Sequence, residues 1–508
     1  MSVTLTGSNL TLDELRRVAF DRESVKLSSE AIEKVKASRR VIDDILSGDK
    51  VVYGVNTGFG NFRDVVIPPK ELYQLQLNLV RSHAAGVGEP MPESVVRSVM
   101  LLRANAVASG YSGIHPETLD SLLKLLNAGV HPVLPEKGSV GASGDLAPLA
   151  HLALVLIGEG EAFYNGQKVS GERALKDAGL SPVRLHPKDG LALINGTQVM
   201  SALLAQALLE GRTLIRSADV IGALTLDCLL GSYVAFDPRI HSARPHPGQA
   251  VSALNLRTLL EDSELRDSHK ECGSVQDSYS LRCMPQVHGA VRDALNYAEN
   301  VLTIEMNSAT DNPMIFVDTQ EVLSGGNFHG QPVAQAADFA SIATSELGSI
   351  SERRTERLVN PNLSGLAPFL VKEGGLNSGF MMVQVTAAAL ASENKSLAHP
   401  ASVDSIPTSA NQEDHVSMGV TAARKAGVVA RNVARILSIE LLCASQALDL
   451  RRPLKSSKAL ESVHALVRES VPFYEVDRPH YPDIRAVDDL LWEGRVLSTA
   501  ANEVESLD

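Results

Sequence analysis

Apolar residues recur at helical spacing along most of the chain. The first run covers residues 12–19 and begins beside Thr11, which forms with Glu14 the Thr-x-x-Glu pattern typical of a capping box. A second run covers residues 32–46 and ends at Gly48, a residue type that commonly terminates helices. These patterns predict two amphipathic helices near the start of the chain.

Longer helical patterns fill much of the remaining sequence. They are rich in alanine and leucine, and they lack the strict alternation typical of half-buried strands. The predicted helical stretches cover residues 75–126, 191 onward, 332–358, 381–395 and 416–450. We therefore predict a mainly α fold, an elongated bundle of long helices with a smaller mixed N-terminal part. Residues 1–110 would form that part and residues 111–508 the bundle, together as one integrated unit.

The segment of residues 51–60 has a different texture, because glycine and β-branched residues replace the helical pattern. It predicts a short extended piece that passes into a loop. The glycines do not predict a phosphate cradle, since no Gly-Lys-Ser/Thr and no helix signal follow. Tyr53 in this segment is either a packing residue or a candidate base that a mobile loop carries over a site.

Composition narrows the classes of partner. The chain has 508 residues, 44% hydrophobic residues and a net charge of -13 without any basic run. That charge argues against nucleic acid and against an anionic membrane as partner. The longest apolar stretch, residues 152–158, is far shorter than the roughly 18 residues of a membrane span, and residues 1–4 lack the pattern of a signal peptide. We expect a cytoplasmic protein.

The cysteines indicate neither a disulfide framework nor a zinc site. The four of them show no Cys-x-x-Cys pair and no histidine at ligand spacing: Cys228, Cys272, Cys283 and Cys443. We predict reduced thiols and no metal, and leave any redox role of Cys272 open.

Ala142-Ser143-Gly144 places three small residues in a row ahead of a helical pattern. One interpretation is a tight turn or helix entry, with Ser143 or Asp145 as N-cap. The other is chemical, because such a chain can bend until the Gly144 amide nitrogen reaches the Ala142 carbonyl carbon. Ring closure with loss of two waters would leave an exocyclic methylene at Ser143, which is a strong electrophile.

Polar islands separate the helices of the second half. Each has an ordinary interpretation as a cap, a turn or a solvated surface, but together they are too polar and too regularly placed at helix ends for a pure scaffold. The islands cover residues 274–283, 310–313, 325–330 and 409–415.

These pieces together resemble the aromatic amino acid ammonia-lyase family, along nearly the whole chain. The matching motifs are Tyr-Gly-Val-Asn-Thr-Gly-Phe-Gly from Tyr53, Ala-Ser-Gly from Ala142, Ile-Asn-Gly-Thr from Ile194, Gln-Asp-Ser-Tyr-Ser-Leu-Arg-Cys from Gln276, Gly-Gly-Asn-Phe-His-Gly from Gly325, and the Gln-Glu-Asp-His island around Glu413. The resemblance implies the helical fold shared by ammonia-lyases and fumarase-like enzymes. It also implies a homotetramer whose active sites draw on more than one subunit.

The resemblance further implies a protein-derived cofactor, methylidene-imidazolone (MIO), formed from residues 142–144, with no dissociable cofactor. Tyr53 would be the base that takes the β-proton, provided that its pKa is lowered or the transfer is tightly positioned. Arg282 would bind the substrate carboxylate through its planar fork. Hydrogen bonds to the cyclised group or the substrate would come from Asn195, Gln276 and Tyr279. Phe328 would form an apolar wall near the prosthetic group.

Two polar residues decide the expected substrate. Related enzymes that act on phenylalanine have an apolar residue where this chain has His83, and a glutamine where it has Glu413. An imidazole can hydrogen-bond to both, whereas a phenyl ring would leave each unpaired at a cost of about 1–3 kcal/mol. The resemblance therefore favours conversion of L-histidine to trans-urocanate and ammonia, the first step of histidine degradation.

Three alternatives stay open at the level of sequence. The nearest is a tyrosine or phenylalanine ammonia-lyase or aminomutase with the same prosthetic group, because a histidine can also bind a tyrosine hydroxyl. Glu413 therefore carries the discrimination. The second is a helical lyase of the fumarase or argininosuccinate lyase kind, without MIO. The third is a non-catalytic helical scaffold.

Overall fold

The computed structural model describes residues 2–48, 50–269 and 275–508. Cys272, and Ser274 at the start of one polar island, lie outside these ranges. The described residues are mainly helical, which confirms the predicted fold class. Within these ranges, no helix combines the length and the apolarity that crossing a membrane requires.

The α-helices follow one another through the whole chain. In order they are α1 Leu12–Ala19, α2 Ser29–Ser47, α3 Leu72–His83, α4 Glu93–Ala108, α5 Pro116–Asn127, α6 Leu146–Leu156, α7 Gly171–Asp177, α8 Asp189–Ile194, α9 Gln198–Cys228, α10 Pro238–Ser242, α11 Pro247–Leu259, α12 Glu264–Ser268, α13 Tyr279–Arg282, α14 Met284–Met306, α15 Gln331–Val359, α16 Pro361–Ser364, α17 Met381–Leu397, α18 Gly419–Leu450, α19 Lys458–Ser470, α20 Tyr481–Trp492 and α21 Arg495–Ala501.

The strands are short and form small separate sheets. In order they are β1 Ser2–Leu5, β2 Ser24–Leu27, β3 Val87–Pro90, β4 His131–Pro132, β5 Pro135–Lys137, β6 Glu161–Tyr164, β7 Gln167–Ser170, β8 Met314–Phe316 and β9 Glu321–Leu323. β1 pairs with β2 in parallel, whereas β3–β5, β4–β6–β7 and β8–β9 are antiparallel.

Several helix predictions are confirmed. Thr11 caps α1 through a complete capping box, and α2 ends at the predicted Gly48. The helices predicted over residues 332–358, 381–395 and 416–450 correspond to α15, α17 and α18. These segments have strong apolar periodicity, and the local pattern is enough to define them.

Two further helical stretches contain breaks at which glycines adopt positive φ. The stretch 75–126 is mainly helical, as predicted, and consists of α3, α4 and α5, with Gly88 and Gly110 at φ values of +98° and +87° in the connections. The stretch from residue 191 is interrupted after α8, where Gly196 has a φ of +153°. A positive φ is incompatible with the α-helix, so no helix can continue through these positions.

The chain folds into two compact units. The first unit comprises Met1–Gln206, Glu299–Asp338 and Pro400–Arg424, and it contains every strand named above. One of its core clusters packs residues 41–55 of the chain against Ile315 of β8. This cluster anchors the segment that carries Tyr53. The division of the chain at residue 110 stays a prediction.

The second unit comprises Ala207–Ala298, Phe339–His399 and Lys425–Asp508. A buried ion pair lies in its interior, where Arg354 Nε and Nη2 donate to the two carboxylate oxygens of Glu440 at 2.6 and 2.8 Å. Both side chains are fully buried. Thr225 and Ser351 also donate to Glu440, so the carboxylate has hydrogen-bond partners besides the arginine.

This pair generates a stability prediction. Arg354→Met should lower the free energy of unfolding by about 3–5 kcal/mol, because it leaves a buried carboxylate without its counter-charge. Urea unfolding followed by circular dichroism would measure the change. Arg353→Met is the control, since the neighbouring Arg353 side chain is 58% exposed and should give little change. Equal effects of the two substitutions would contradict the prediction.

Candidate active site

The Ala142-Ser143-Gly144 segment is bent by two glycines. Gly141 and Gly144 have φ values of +68° and +72°, in the left-handed region that favours glycine. Gly144 pairs with Gly196 in an isolated parallel bridge. A Cβ on Gly144 would lie 2.2 Å from the Gly196 carbonyl oxygen, so only glycine permits this approach. The segment therefore packs tightly against the chain between α8 and α9.

Asp145 anchors the segment from behind. Its backbone N–H donates to Gly196 O at 2.7 Å, and its Oδ2 accepts from the backbone N–H groups of Val199 and Met200, each at 2.9 Å. Burial raises the pKa of Asp145 to about 7, although these hydrogen bonds and one from Ser139 act in the opposite direction. The carboxylate thus caps the start of α9, and makes no capping hydrogen bond to its own helix α6.

Asn195 contacts the same segment from the end of α8. Its Nδ2 donates to the Ser143 carbonyl oxygen at 3.3 Å. Its Oδ1 is buried and has no hydrogen-bond partner among the described residues. A buried polar atom without a partner is costly, which is typical of a site whose ligand or chemical product supplies the partner.

Tyr53 lies in a turn, and the extended piece predicted for this segment is not observed. The N–H groups of Val55 and Asn56 both bond to Val52 O at 3.2 Å, which closes the turn around Tyr53. Gly54 has a φ of +73°, and a Cβ there would lie 2.9 Å from Leu191. A tight turn against α8 therefore takes the place of the predicted extended backbone.

The surroundings of Tyr53 within the first unit raise its pKa. Burial is the main cause, and the negative charge of Glu413 adds to it. A backbone hydrogen bond from Gly60 and the positive charge of Arg63 oppose the shift. The lowered pKa that would suit a base is not supplied by these residues, which leaves close positioning as the route to proton transfer.

His83 is the last residue of α3 and is half-buried. Its Nδ1 lies 2.8 Å from the Leu79 carbonyl oxygen. Because a carbonyl oxygen can only accept, this contact places a proton on Nδ1. In the neutral ring, Nε2 is then the hydrogen-bond acceptor.

Glu413 faces Ser143 from a strained turn. Ser143 Oγ donates to Glu413 Oε1 at 2.8 Å, and Thr408 Oγ1 donates to Oε2 at 2.7 Å. Between Thr408 and Glu413 the backbone passes through three consecutive non-glycine residues with positive φ, at residues 409–411. Such a run costs roughly 1–2 kcal/mol per residue, and strain of this kind is often associated with functional sites.

Two adjoining cavities of about 670 and 650 Å³ bring these side chains together in the first unit. Both are lined by Tyr53, Ser143, Asn195 and Glu413. His83 lines the larger cavity, and Ala142 and Phe328 line the smaller. Seven of the predicted site residues therefore line these two cavities, which share four of them. Gly144 follows Ser143 in the chain and is not among the lining residues.

Three predicted site residues belong to the second unit, and they are not among the residues that line either cavity. Tyr279 and Arg282 lie on the short helix α13, with the guanidinium carbon 4.8 Å from the centre of the tyrosine ring. Tyr279 is 72% exposed, and Gln276, which precedes the helix, is exposed as well. Their roles at the site stay predictions.

The sequence did not single out Arg63, although it lines the smaller cavity. Its Nη1 donates to Gln412 Oε1 at 2.6 Å and so connects the Tyr53 loop to the Glu413 turn. The sequence indicates only that Arg63 lies in the loop between Tyr53 and the helical stretch that begins at residue 75. That signal is weak, because isolated arginines in polar loops are common.

Among the described residues, one group could offer several ligands to a metal ion. His115, Glu117 and His186 place ligand atoms within 4.8 Å of one another. The two imidazole rings are stacked with their centres 3.9 Å apart. None of the three lines the two cavities, so this group is separate from the site around Ser143.

The sequence of residues 10–469 matches the family described as aromatic amino acid lyase. The chain therefore belongs to the aromatic amino acid lyase family. A histidine ammonia-lyase from Caldanaerobacter subterraneus subsp. tengcongensis is 56% identical over 494 residues, which cover 97% of this chain and 97% of that protein.

Solved structures of two related enzymes share the fold. A histidine ammonia-lyase from Trypanosoma cruzi aligns with a TM-score of 0.93 and 47% identity, over 100% of this chain and 96% of that chain. A tyrosine aminomutase from Streptomyces globisporus aligns with a TM-score of 0.95 and 39% identity, over 100% of both chains.

Removing either of the two charges near Tyr53 should shift the pKa of Tyr53, in opposite directions for Glu413 and Arg63. Glu413→Gln should lower the pKa of Tyr53, because it removes a neighbouring negative charge, and Arg63→Gln should raise it. Ultraviolet difference titration of phenolate absorption would measure both, with Tyr53→Phe in each background as the reference. Shifts in the same direction would show that Coulombic interaction is not the cause.

Proposed function

We propose that this chain catalyses the non-oxidative deamination of L-histidine to trans-urocanate and ammonia, as a carbon–nitrogen lyase. The observation that carries the proposal is the larger cavity, which places His83 and Glu413 on the same walls as Ser143 and Tyr53. The 56% identical relative named histidine ammonia-lyase supports the same reaction.

Residues 142–144 fit the precursor of MIO. Ring closure would remove the carbonyl oxygen of Ala142 and the hydroxyl oxygen of Ser143, so the Ser143 carbonyl oxygen is the one that the ring retains. Asn195 Nδ2 already donates to that oxygen. When formed, the group supplies an electrophilic methylene carbon that converts the substrate's amino nitrogen into a better leaving group.

The chain's own side chains orient the substrate and move its proton. Tyr53 takes the β-proton, and its half-buried phenol at the cavity wall supports that role. Arg282 binds the carboxylate through its planar fork, with Gln276 and Tyr279 as further hydrogen-bond partners. Phe328 contributes an apolar part of the wall.

His83 and Glu413 recognise the imidazole ring of the substrate. Nε2 of His83 accepts a hydrogen bond from one ring nitrogen of the substrate, and the Glu413 carboxylate accepts another from the second, so the ring is bound in its doubly protonated imidazolium form. In the structure, Ser143 Oγ donates a hydrogen bond to Glu413 Oε1. Loss of that hydroxyl on ring closure would free this carboxylate oxygen for the substrate.

The second candidate is an aminomutase or ammonia-lyase acting on tyrosine or phenylalanine. The observation that favours it is the structural alignment with a tyrosine aminomutase at a TM-score of 0.95. Glu413 argues against it, because a phenol or phenyl ring offers the carboxylate at most one weakly matched partner. The higher identity to histidine ammonia-lyases also favours histidine.

We also propose a homotetramer in the cytoplasm. In such an assembly a neighbouring subunit would supply Gln276, Tyr279 and Arg282 to the cavities of the first unit. The high exposure of Tyr279 supports this arrangement, because a hydrogen-bonding residue of a closed site needs a covering partner. No metal and no dissociable cofactor form part of the proposal.

The proposed chemistry predicts a mass change. The peptide that contains Ser143 should be lighter than its sequence mass by two waters, and the protein should release urocanate from L-histidine, measured by ultraviolet absorbance. Borohydride should abolish the activity because it reduces the electrophile. A peptide of full mass would overturn the proposal, whereas coumarate or cinnamate formation would favour the second candidate.

The specificity argument predicts selective losses. Glu413→Gln and His83→Leu should each reduce kcat/KM for histidine by about 5- to 150-fold, the equivalent of 1–3 kcal/mol. Any slow turnover of tyrosine or phenylalanine should fall less. Asp414→Asn is the matched control, because the exposed Asp414 lines only the smaller cavity. Equal losses for all substrates would remove the substituted residue from the specificity argument.

A further inference from the structure

Arg103 is a fully buried arginine on α4 whose hydrogen bonds go only to neutral oxygens. Its Nη1 donates to the carbonyl oxygen of Asn195 at 2.6 Å and to Gln198 Oε1 at 2.8 Å. Its Nε and Nη2 have no hydrogen-bond partner in the described part of the chain. Burial lowers the pKa of Arg103 to about 10. Placing a cation here is costly, which points to a specific requirement for the guanidinium.

Gly196 makes room for that guanidinium. A Cβ on Gly196 would lie 2.5 Å from Arg103 Nη1 and 2.6 Å from the Thr310 carbonyl oxygen. The φ of +153° at Gly196 is also one that other residues rarely adopt. A side chain at position 196 would therefore displace the Arg103 guanidinium.

Asn195 and Gly196, which Arg103 contacts, also contact the segment around residues 142–144. Gly196 O accepts from Asp145 N, and Gly196 is bridged to Gly144. The side chain of Asn195 donates to Ser143 O, while its backbone carbonyl is held by Arg103. Asn195 and Gly196 thus form a thin layer between the guanidinium and residues 142–144.

We propose that Arg103 is a positioning residue that holds Asn195 and Gly196 in place, so that residues 142–144 are set for ring closure and the Asn195 amide stays on Ser143 O. This inference rests on the proposed function. Arg103 touches neither the substrate nor the reacting atoms, and acts through the backbone it binds.

The chemistry that it supports is balanced without an oxidant. One bond forms, between Gly144 N and the Ala142 carbonyl carbon. The first water takes the Ala142 oxygen with the amide hydrogens of Gly144 and Ser143, which leaves a C=N bond. The second takes the Ser143 hydroxyl and its Cα hydrogen, which leaves the methylene.

Arg97 provides a matched control on the same helix. It is 2% exposed, and its guanidinium donates to the carbonyl oxygens of Val18 and Leu126 and contacts the ring of His131. Arg97→Met and Arg103→Met therefore each remove one buried arginine from α4. Only Arg103 contacts the segment next to Gly144.

The test is the mass of the peptide spanning residues 138–151, measured on the purified full chain of each variant, with unfolding temperature and kinetics alongside. Wild type and Arg97→Met should show the deficit of two waters. Arg103→Met should retain full mass in most molecules. Per dehydrated site, its kcat should fall about 100-fold, the loss expected from a displacement of ~1 Å.

Arg103→Lys keeps the inference testable if the methionine variant fails to fold. Lysine retains the buried charge, but its ammonium nitrogen ends one bond short of the position of Nη1, the single atom that holds both oxygens. The dehydrated fraction should therefore rise more slowly after synthesis than in wild type. Complete dehydration at the wild-type rate in Arg103→Lys, with unchanged kcat, would overturn the inference. So would equal deficits in Arg103→Met and Arg97→Met at equal unfolding temperatures. Full mass in wild type would instead overturn the proposed function, and this inference with it.

Discussion

The close approach of Gly144 to Gly196 is the constraint on which the candidate site depends. The separation expected between a Cβ on Gly144 and Gly196 O is only 2.2 Å, so any side chain would push the two segments apart. The same contact determines where Ser143 meets Asn195, and it brings Asp145 to the start of α9. The absence of a Cβ at Gly144 therefore permits both of these contacts.

Charge around this contact is concentrated in buried groups. Asp145 and Arg103 are both fully buried, and their charged side chains bind peptide groups on either side of Gly196 in the sequence instead of an opposite charge. Peptide groups are fixed dipoles, and in a low-dielectric interior such hydrogen bonds are strong and directional. These hydrogen bonds hold the backbone next to residues 142–144 in one defined position.

The walls of the cavities have a different character. Tyr53 lies in a glycine turn and Glu413 follows a left-handed turn, and a hydrogen bond from Arg63 to Gln412 connects the two loops. Loops can carry chemically active groups over a rigid floor and open again for substrate. The candidate site therefore combines a tightly packed segment, residues 142–144, with two loops that carry Tyr53 and Glu413.

The sequence by itself determined the helical fold class, the capping of α1 and the small-residue tripeptide, because these depend on local periodicity and residue type. Family motifs further predicted Tyr53, His83, Asn195 and Glu413, which the structure brings to the same cavities. Only the tertiary structure decided that Asp145 caps α9 and that Arg103 binds Asn195. Their partners are separated by 54 and 92 residues, and no local pattern encodes contacts over such distances.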